Sequence, residues 1–122
     1  MKIGFTGHRD KIAHPSSLFE LYDEFPLATW GHGNAKDGFD KQVDLFILQR
    51  RIPCIRFEPL AVVIKTKSYV GALLERNIEL VDWLDGPDDI LVALYDGRVH
   101  GGTYRTVSNA KRKNKTVREW IP

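Results

Sequence analysis

Ile90-Leu91-Val92-Ala93-Leu94-Tyr95 is apolar or aromatic at every position and is bracketed by Asp88-Asp89 and Asp96-Gly97. A strand with one face in water alternates apolar and polar residues. An unbroken run of this length fits a strand covered on both faces, which favours an interior place in a parallel sheet. The segments on either side carry the matching signals. Upstream, Val70, Leu73, Leu74, Ile78 and Val81 recur at helical spacing. Downstream, a helix is predicted from Gly102-Thr103 to about Lys113, and Thr116 to Trp120 follows as an edge strand. Further towards the N-terminus, Pro53-Cys54-Ile55-Arg56-Phe57 reads as a third strand. Phe39, Val43, Phe46 and Ile47 fall at i, i+4, i+7 and i+8, an amphipathic helix. Leu27 to Trp30 reads as the second strand and Ile3 to Thr6 as the first. Between them a helix starts near a Ser16-Ser17 cap, with Glu20 placed for a capping box, and stops before Pro26.

Five strands alternating with helices define an α/β chain. The expected architecture is a Rossmann-like, doubly wound, mostly parallel five-stranded sheet in the order 3-2-1-4-5, with helices on both faces. Residues 1–122 form a single domain on this reading. Leu60-Ala61-Val62-Val63-Ile64 is too apolar for a plain crossover loop and is open to three readings: an extra strand, a buried turn or a subunit contact.

Composition bounds the function. The 122 residues are 43% hydrophobic and 28% charged, with a formal net charge of +2. That charge is too small to imply nucleic-acid binding by itself. No apolar stretch approaches the roughly 18 residues of a membrane span, so no membrane partner is expected. The start Met1-Lys2-Ile3-Gly4-Phe5 lacks the apolar core of a signal peptide. The lone Cys54 excludes an internal disulfide and fits a reducing cytoplasm. Inside a strand it reads as a small buried thiol rather than a nucleophile.

In the order 3-2-1-4-5 the winding reverses between the first strand and the Ile90–Tyr95 strand. A crevice is expected there, at the carboxyl ends of the strands, between Gly7-His8-Arg9 and Asp96-Gly97, with Gly101-Gly102-Thr103 just beyond. Glycines at a helix start let free amides approach an anion. The alternative for Gly101-Gly102-Thr103 is a tight turn with a threonine N-cap. Arg9 either grips a phosphate bidentately or is a solvated loop arginine. Asn77 interrupts an apolar stripe, so its amide either ties down a loop or touches a ligand. Asp96 either accepts from a ribose hydroxyl or holds the Gly97 turn. Tyr95 and Tyr104 are candidates to stack on a base, or are core and rim aromatics. His8, His32 and His100 lie just beyond strands, but without metal-ligand spacing or a cysteine cluster; no metal and no cofactor is expected. Lys111-Arg112-Lys113, with Lys115 and Arg118, reads as a solvated basic face at the far end of the last helix.

The chain resembles the SLOG superfamily, the Rossmann-like group that includes DprA-type DNA-processing proteins and LOG phosphoribohydrolases, and most of all its small single-domain, YspA-like branch. The resemblance rests on Gly4-Phe5-Thr6-Gly7-His8-Arg9 after the first strand and on Gly33-Asn34-Ala35-Lys36-Asp37-Gly38-Phe39-Asp40 opening the second helix. Arg76-Asn77 continues it, as does Leu94-Tyr95-Asp96-Gly97 followed by Gly101-Gly102-Thr103. It implies a nucleotide-type ligand held by Gly7, His8, Arg9, Gly33, Asp40, Arg76, Asn77, Asp96, Gly97, Gly101, Gly102 and Thr103. Two departures bear on activity. The Gly33–Asp40 segment is one residue longer than the family's glycine–alanine–glycine–aspartate turn. The LOG enzymes carry glutamates shortly after their glycine–threonine, whereas here Gly102-Thr103 is followed by Tyr104-Arg105-Thr106-Val107.

Three function classes follow. The first is binding of a nucleotide or nucleotide-derived phosphate ligand, as a sensor or a sequestering protein, with homo-oligomerisation through the Leu60–Ile64 stretch. The second is an N-glycosidic hydrolase of the phosphoribohydrolase type, for which Asp96 is the weak catalytic candidate and Asp40 and Asp37 the other carboxyls near the crevice. The third is DprA-like binding of single-stranded DNA, which calls for a basic groove with exposed aromatics.

Overall fold

All five residues of β4 (Ile90–Leu94) are buried. The strand β1 (Lys2–Gly7) runs parallel along one side of it and β5 (Thr116–Trp120) along the other. Beyond β1 come β2 (Thr29–His32) and the short edge strand β3 (Cys54–Arg56), also parallel. The sheet order is therefore β3-β2-β1-β4-β5, the doubly wound order predicted from the sequence. The structure is a computed structural model and describes residues 1–58 and 69–122. The Leu60–Ile64 stretch lies outside the described residues.

Among the described residues, four helices cover the sheet: α1 (Pro15–Glu24), α2 (Gly38–Arg50), α3 (Tyr69–Trp83) and α4 (Gly101–Arg112). Alternation along the strands sorts the core between two faces. Ile3 and Phe5 of β1 and Ile90, Val92 and Leu94 of β4 join Leu18, Leu21, Phe39, Val43, Phe46 and Ile47 of α1 and α2. Leu91, on the opposite face of β4, packs with Leu80, Val81, Leu84 and Ala110, the side chains that α3, the residue after it and α4 bring in. Helices thus lie on both faces. The α1/α2 side is rich in aromatic contacts, with Trp30 stacked on Phe46 at 5.4 Å and tilted against Phe5 at 4.7 Å. Such pairs contribute about 0.5–1.5 kcal/mol each beyond the area they bury.

Several local details differ from the sequence reading, beyond shifts of one residue at strand and helix ends. The first helix is capped by His14, not by serine: Pro15 takes the first helical position, which its fixed φ suits, and the Ser16 amide donates to His14 Nδ1 at 3.2 Å. The second strand begins at Thr29 rather than Leu27 and continues through Gly31 to His32. Leu27 is left almost wholly exposed. Gly31 is a strand residue because the Trp83 ring lies over it, where a Cβ would come within 2.6 Å. In α3, Ile78 is 45% exposed, and of the side chains described there Leu80 and Val81 are buried, with Leu84 just past the end. Asn77 shares that face by the i, i+3, i+4, i+7 rule. Cys54 is half-buried rather than buried, since among the described residues β3 has a neighbour on one side only.

Candidate functional site

The crevice lies at the carboxyl ends of β1 and β4, where the winding reverses. It is a cavity of about 680 Å³, large enough for a small organic ligand. Its wall takes Gly7, His8 and Arg9 from the end of β1 and the loop after it, Gly33 and Asp40 from the β2–α2 region, Arg76 and Asn77 from α3, and Gly101, Gly102 and Thr103 from the start of α4. Ten of the twelve residues singled out from the sequence therefore share one wall.

Asp96 and Gly97 are not part of the lining. The Arg98 amide donates to Asp96 Oδ1 at 3.1 Å, bridging Gly97, and the Arg98 guanidinium donates from Nε to both carboxylate oxygens at 3.0 Å. Of the two readings of Asp96, holding the turn is the one these contacts describe. Hydrogen bonds from Arg98 keep its carboxyl far below the usual carboxylate range. A group held ionised in this way has no proton to give at neutral pH, so Asp96 is unsuited to act as a general acid.

Two loops are set by close packing. Gly7 touches the Phe39 side chain so tightly that a Cβ would lie 2.5 Å from Cδ2. Gly38, the first residue of α2, has φ of 70° and leaves room only for the His8 and Arg9 carbonyls, each 2.5 Å from where a Cβ would stand. The Gly38-Phe39 pair thus clamps the His8-Arg9 loop against the start of α2.

His8 is buried, with Nε2 3.0 Å from Asp96 Oδ1 and 3.2 Å from the Asp96 amide. Burial, then the Arg98 charge, pushes its pKa below the usual value against the pull of Asp96. The neutral ring is the form this favours. His32 is fully buried and doubly anchored, Nε2 donating to Asp44 Oδ1 at 2.9 Å and Nδ1 accepting from the Asn34 amide at 2.9 Å. Against the burial of Asp44, hydrogen bonds from Arg56 and His32 hold that carboxyl low. His100 is the N-cap residue of α4 without a side-chain capping bond. His8 and His32 are engaged separately, and among the described residues no group of three His, Cys, Asp or Glu side chains is placed to hold a metal.

His100 as N-cap puts Gly101, Gly102 and Thr103 at the first three helical positions, whose amides have no intrahelical acceptor. Thr103 is accordingly not the N-cap. Asn77 Oδ1 accepts from Arg76 Nη2 at 3.3 Å, and its amide nitrogen approaches Gly102, 3.5 Å from where a Cβ would stand.

Three residues that the sequence reading passed over, Arg98, Arg105 and Asp10, complete the electrostatics and line the cavity together with His100. With Arg9 and Arg76 they set four guanidinium groups against the carboxyls of Asp10 and Asp40. Arg98 is tied to Asp96 and reaches Asp10 at 3.5 Å. Arg9 and Arg105 make no ion pair or side-chain hydrogen bond among the described residues. Arg105 was signalled by its position, one helical turn beyond Gly101.

Asp40 is the unusual acid of the wall. It is 6% exposed; Oδ2 accepts from the Ala35 amide at 3.2 Å, and Oδ1 has no hydrogen-bond partner among the described residues. Burial pushes its carboxyl above the ordinary value, opposed by His32, the Ala35 amide, Arg76 and Arg9.

Tyr95 is outside the wall, its hydroxyl donating to the Arg98 carbonyl and its ring 5.7 Å from His8. Tyr104 lines a separate hollow of about 330 Å³ along α3 and α4.

Fold and site together define an α/β protein of doubly wound topology with a strongly cationic crevice at its switch point. Comparison of the chain with protein-family models, with curated proteins and with solved structures found no match.

Proposed function

We propose that the crevice binds a nucleotide or nucleotide-derived, phosphate-bearing small molecule, in a sensing or sequestering role. One observation carries the reading: Arg9 and Arg105, without partners among the described residues, line the same cavity as the free amides of Gly101, Gly102 and Thr103. Guanidinium forks and helix-start amides are the two protein groups best suited to an oxyanion. Their convergence on a concave wall at the switch point supports a ligand rather than a solvated surface. The SLOG resemblance of the same glycine and arginine segments points the same way.

Native mass spectrometry with a panel of nucleoside mono-, di- and cyclic phosphates tests this. An intact adduct is expected, and Arg9→Ala is expected to weaken it about 10- to 100-fold, the loss of one charge-assisted hydrogen-bonding group. Because Arg9 is exposed, its removal should leave thermal stability within about 0.5 kcal/mol. Unchanged affinity in Arg9→Ala and Arg105→Ala alike would sink the site. Release of free base and sugar phosphate would instead establish the glycosidic hydrolase, with Asp40 rather than Asp96 as its acid.

A further inference from the structure

We propose that the hollow between α3 and α4 is a second subsite of the crevice, taking a planar ring attached to the far side of the ligand's phosphate, so that small phosphodiesters bind in preference to monoesters. The inference rests on the phosphate-binding reading and adds the class of ester and a site for its second group. The hollow and the crevice meet, because Asn77 and Arg105 belong to both walls. Helical spacing explains the passage between them. Gly101, Arg105, Ser108 and Arg112 stand at i, i+4, i+7 and i+11, one face of α4. That face opens in the crevice with Gly101 and continues into the hollow with Ser108 and Arg112. An anion on the free amides of Gly101, Gly102 and Thr103 is therefore at the junction, with Arg105 only about 4.5 Å along the axis from Gly102. A monoester has one organic group and fills one of the two volumes. A diester seated there has a group for each.

Size and chemistry decide which group goes where. The crevice, about 680 Å³, takes the larger one. The hollow, about 330 Å³, is near the lower limit of ligand pockets, roughly 300 Å³, and suits a single ring system. Its wall is open to an incoming group: Ile78 is 45% exposed, and Arg105, Ser108 and Arg112 are exposed as well. Half-buried Tyr104 and the apolar Ile78 line it together. An aromatic face and an aliphatic side chain are surfaces that a planar ring covers well. A second anionic group has less to meet there, since Arg112 Nη2 already donates to the Asn109 side-chain carbonyl at 3.0 Å. Nor is there a cationic track for a longer strand, because Lys111, Lys113 and Lys115 are all engaged within the protein. The ligand is thus a small molecule with an organic group on each side of its phosphate.

The test is calorimetric titration of the full chain with the phenyl and methyl esters of adenosine 5′-phosphate, which carry the same charge and differ only in the group beyond the phosphate. The phenyl ester should bind about tenfold more tightly. Ser108→Trp, a change at an exposed position that closes the hollow, should bring the two affinities to within about twofold while leaving methyl ester binding in place. Tyr104→Ala should lower the preference about threefold by removing the aromatic wall. Equal affinities of the two esters in the native protein overturn the inference but leave the phosphate reading standing. A preference undiminished in either variant puts the ring outside the hollow and also overturns it. A tetranucleotide that binds about tenfold more tightly than the phenyl ester assigns the diester to a single strand and overturns the small-molecule class. If neither ester, nor adenosine 5′-phosphate, nor inorganic phosphate binds, the phosphate reading fails and this inference fails with it.

Discussion

Asp40 has a consequence for stability that is independent of any ligand. Its folded pKa lies above the unfolded value, so the native state binds the extra proton. Its contribution is fully present below the unfolded pKa near 3.8 and is lost as pH rises through the folded pKa. Asp40→Asn abolishes that loss. The variant should melt above the native protein at pH 7 and lose this advantage on acidification towards pH 4, as followed by thermal denaturation across pH. His8, with its pKa pushed down, gives a slope of opposite sign between its folded value and the ordinary 6.5, but it is common to both proteins and cancels in the difference. Residues of this kind mark the limit of sequence reading. Gly7, Arg9 and Gly101 were legible because turns and helix starts are written locally. The bare oxygen of Asp40 was not, because whether a carboxyl finds a donor depends on Ala35 and on the facing wall. The same holds for Asp96, whose place behind the lining follows from the Arg98 guanidinium that claims it.

At the scale of elements, the start of α2 fixes the loop after β1. Gly38 combines a left-handed φ with carbonyls at 2.5 Å, whereas Gly97 has φ of 90° and nothing within 4 Å of a Cβ. Gly97→Ala should cost about 1–2 kcal/mol, the left-handed penalty alone. Gly38→Ala adds a backbone clash and should cost about 3 kcal/mol or more, with Arg9 displaced and ligand affinity falling alongside. Chemical denaturation of the two variants separates the contributions. Equal costs would mean that the clamp yields freely. The strand order was readable from the apolar run of β4 and the alternation of element types. The bounds of β2 were not: Gly31 looks like a turn until Trp83, from a different element, is seen to occupy the space a side chain would need. The cap of α1 was missed for a simpler reason, that Pro15 moves the helix start one residue ahead of the serines.

Across the whole molecule, the basic residues near the C-terminal end of α4 are already engaged. Lys111 pairs with Glu119 at 2.9 Å, Lys113 with Asp82, and Arg118 holds Glu24 through both nitrogens at 2.7 and 2.8 Å. Lys115 donates to the Leu84 carbonyl at 2.6 Å and Arg112 to Asn109 at 3.0 Å. A surface so paired offers few cations to a nucleic-acid backbone. Single-stranded DNA should therefore bind, if at all, only through the crevice, and nucleoside monophosphate should displace it in a fluorescence anisotropy titration; binding at full strength with the crevice blocked would contradict this. No helix among the described residues is long and apolar enough to cross a membrane.

The position of β1 has a further consequence, for synthesis. It is the middle strand of the sheet, and on one side its partner is β4, with Ile3 beside Ile90 and Gly7 beside Leu94. A chain emerging from the ribosome must present β1, β2 and β3 long before β4 exists, with one edge of β1 unpaired and the apolar side chains of its neighbours uncovered. Nascent chains halted before Ile90 should accordingly be protease-sensitive and held by chaperones, and protection should arrive abruptly once β4 clears the exit tunnel rather than grow with length.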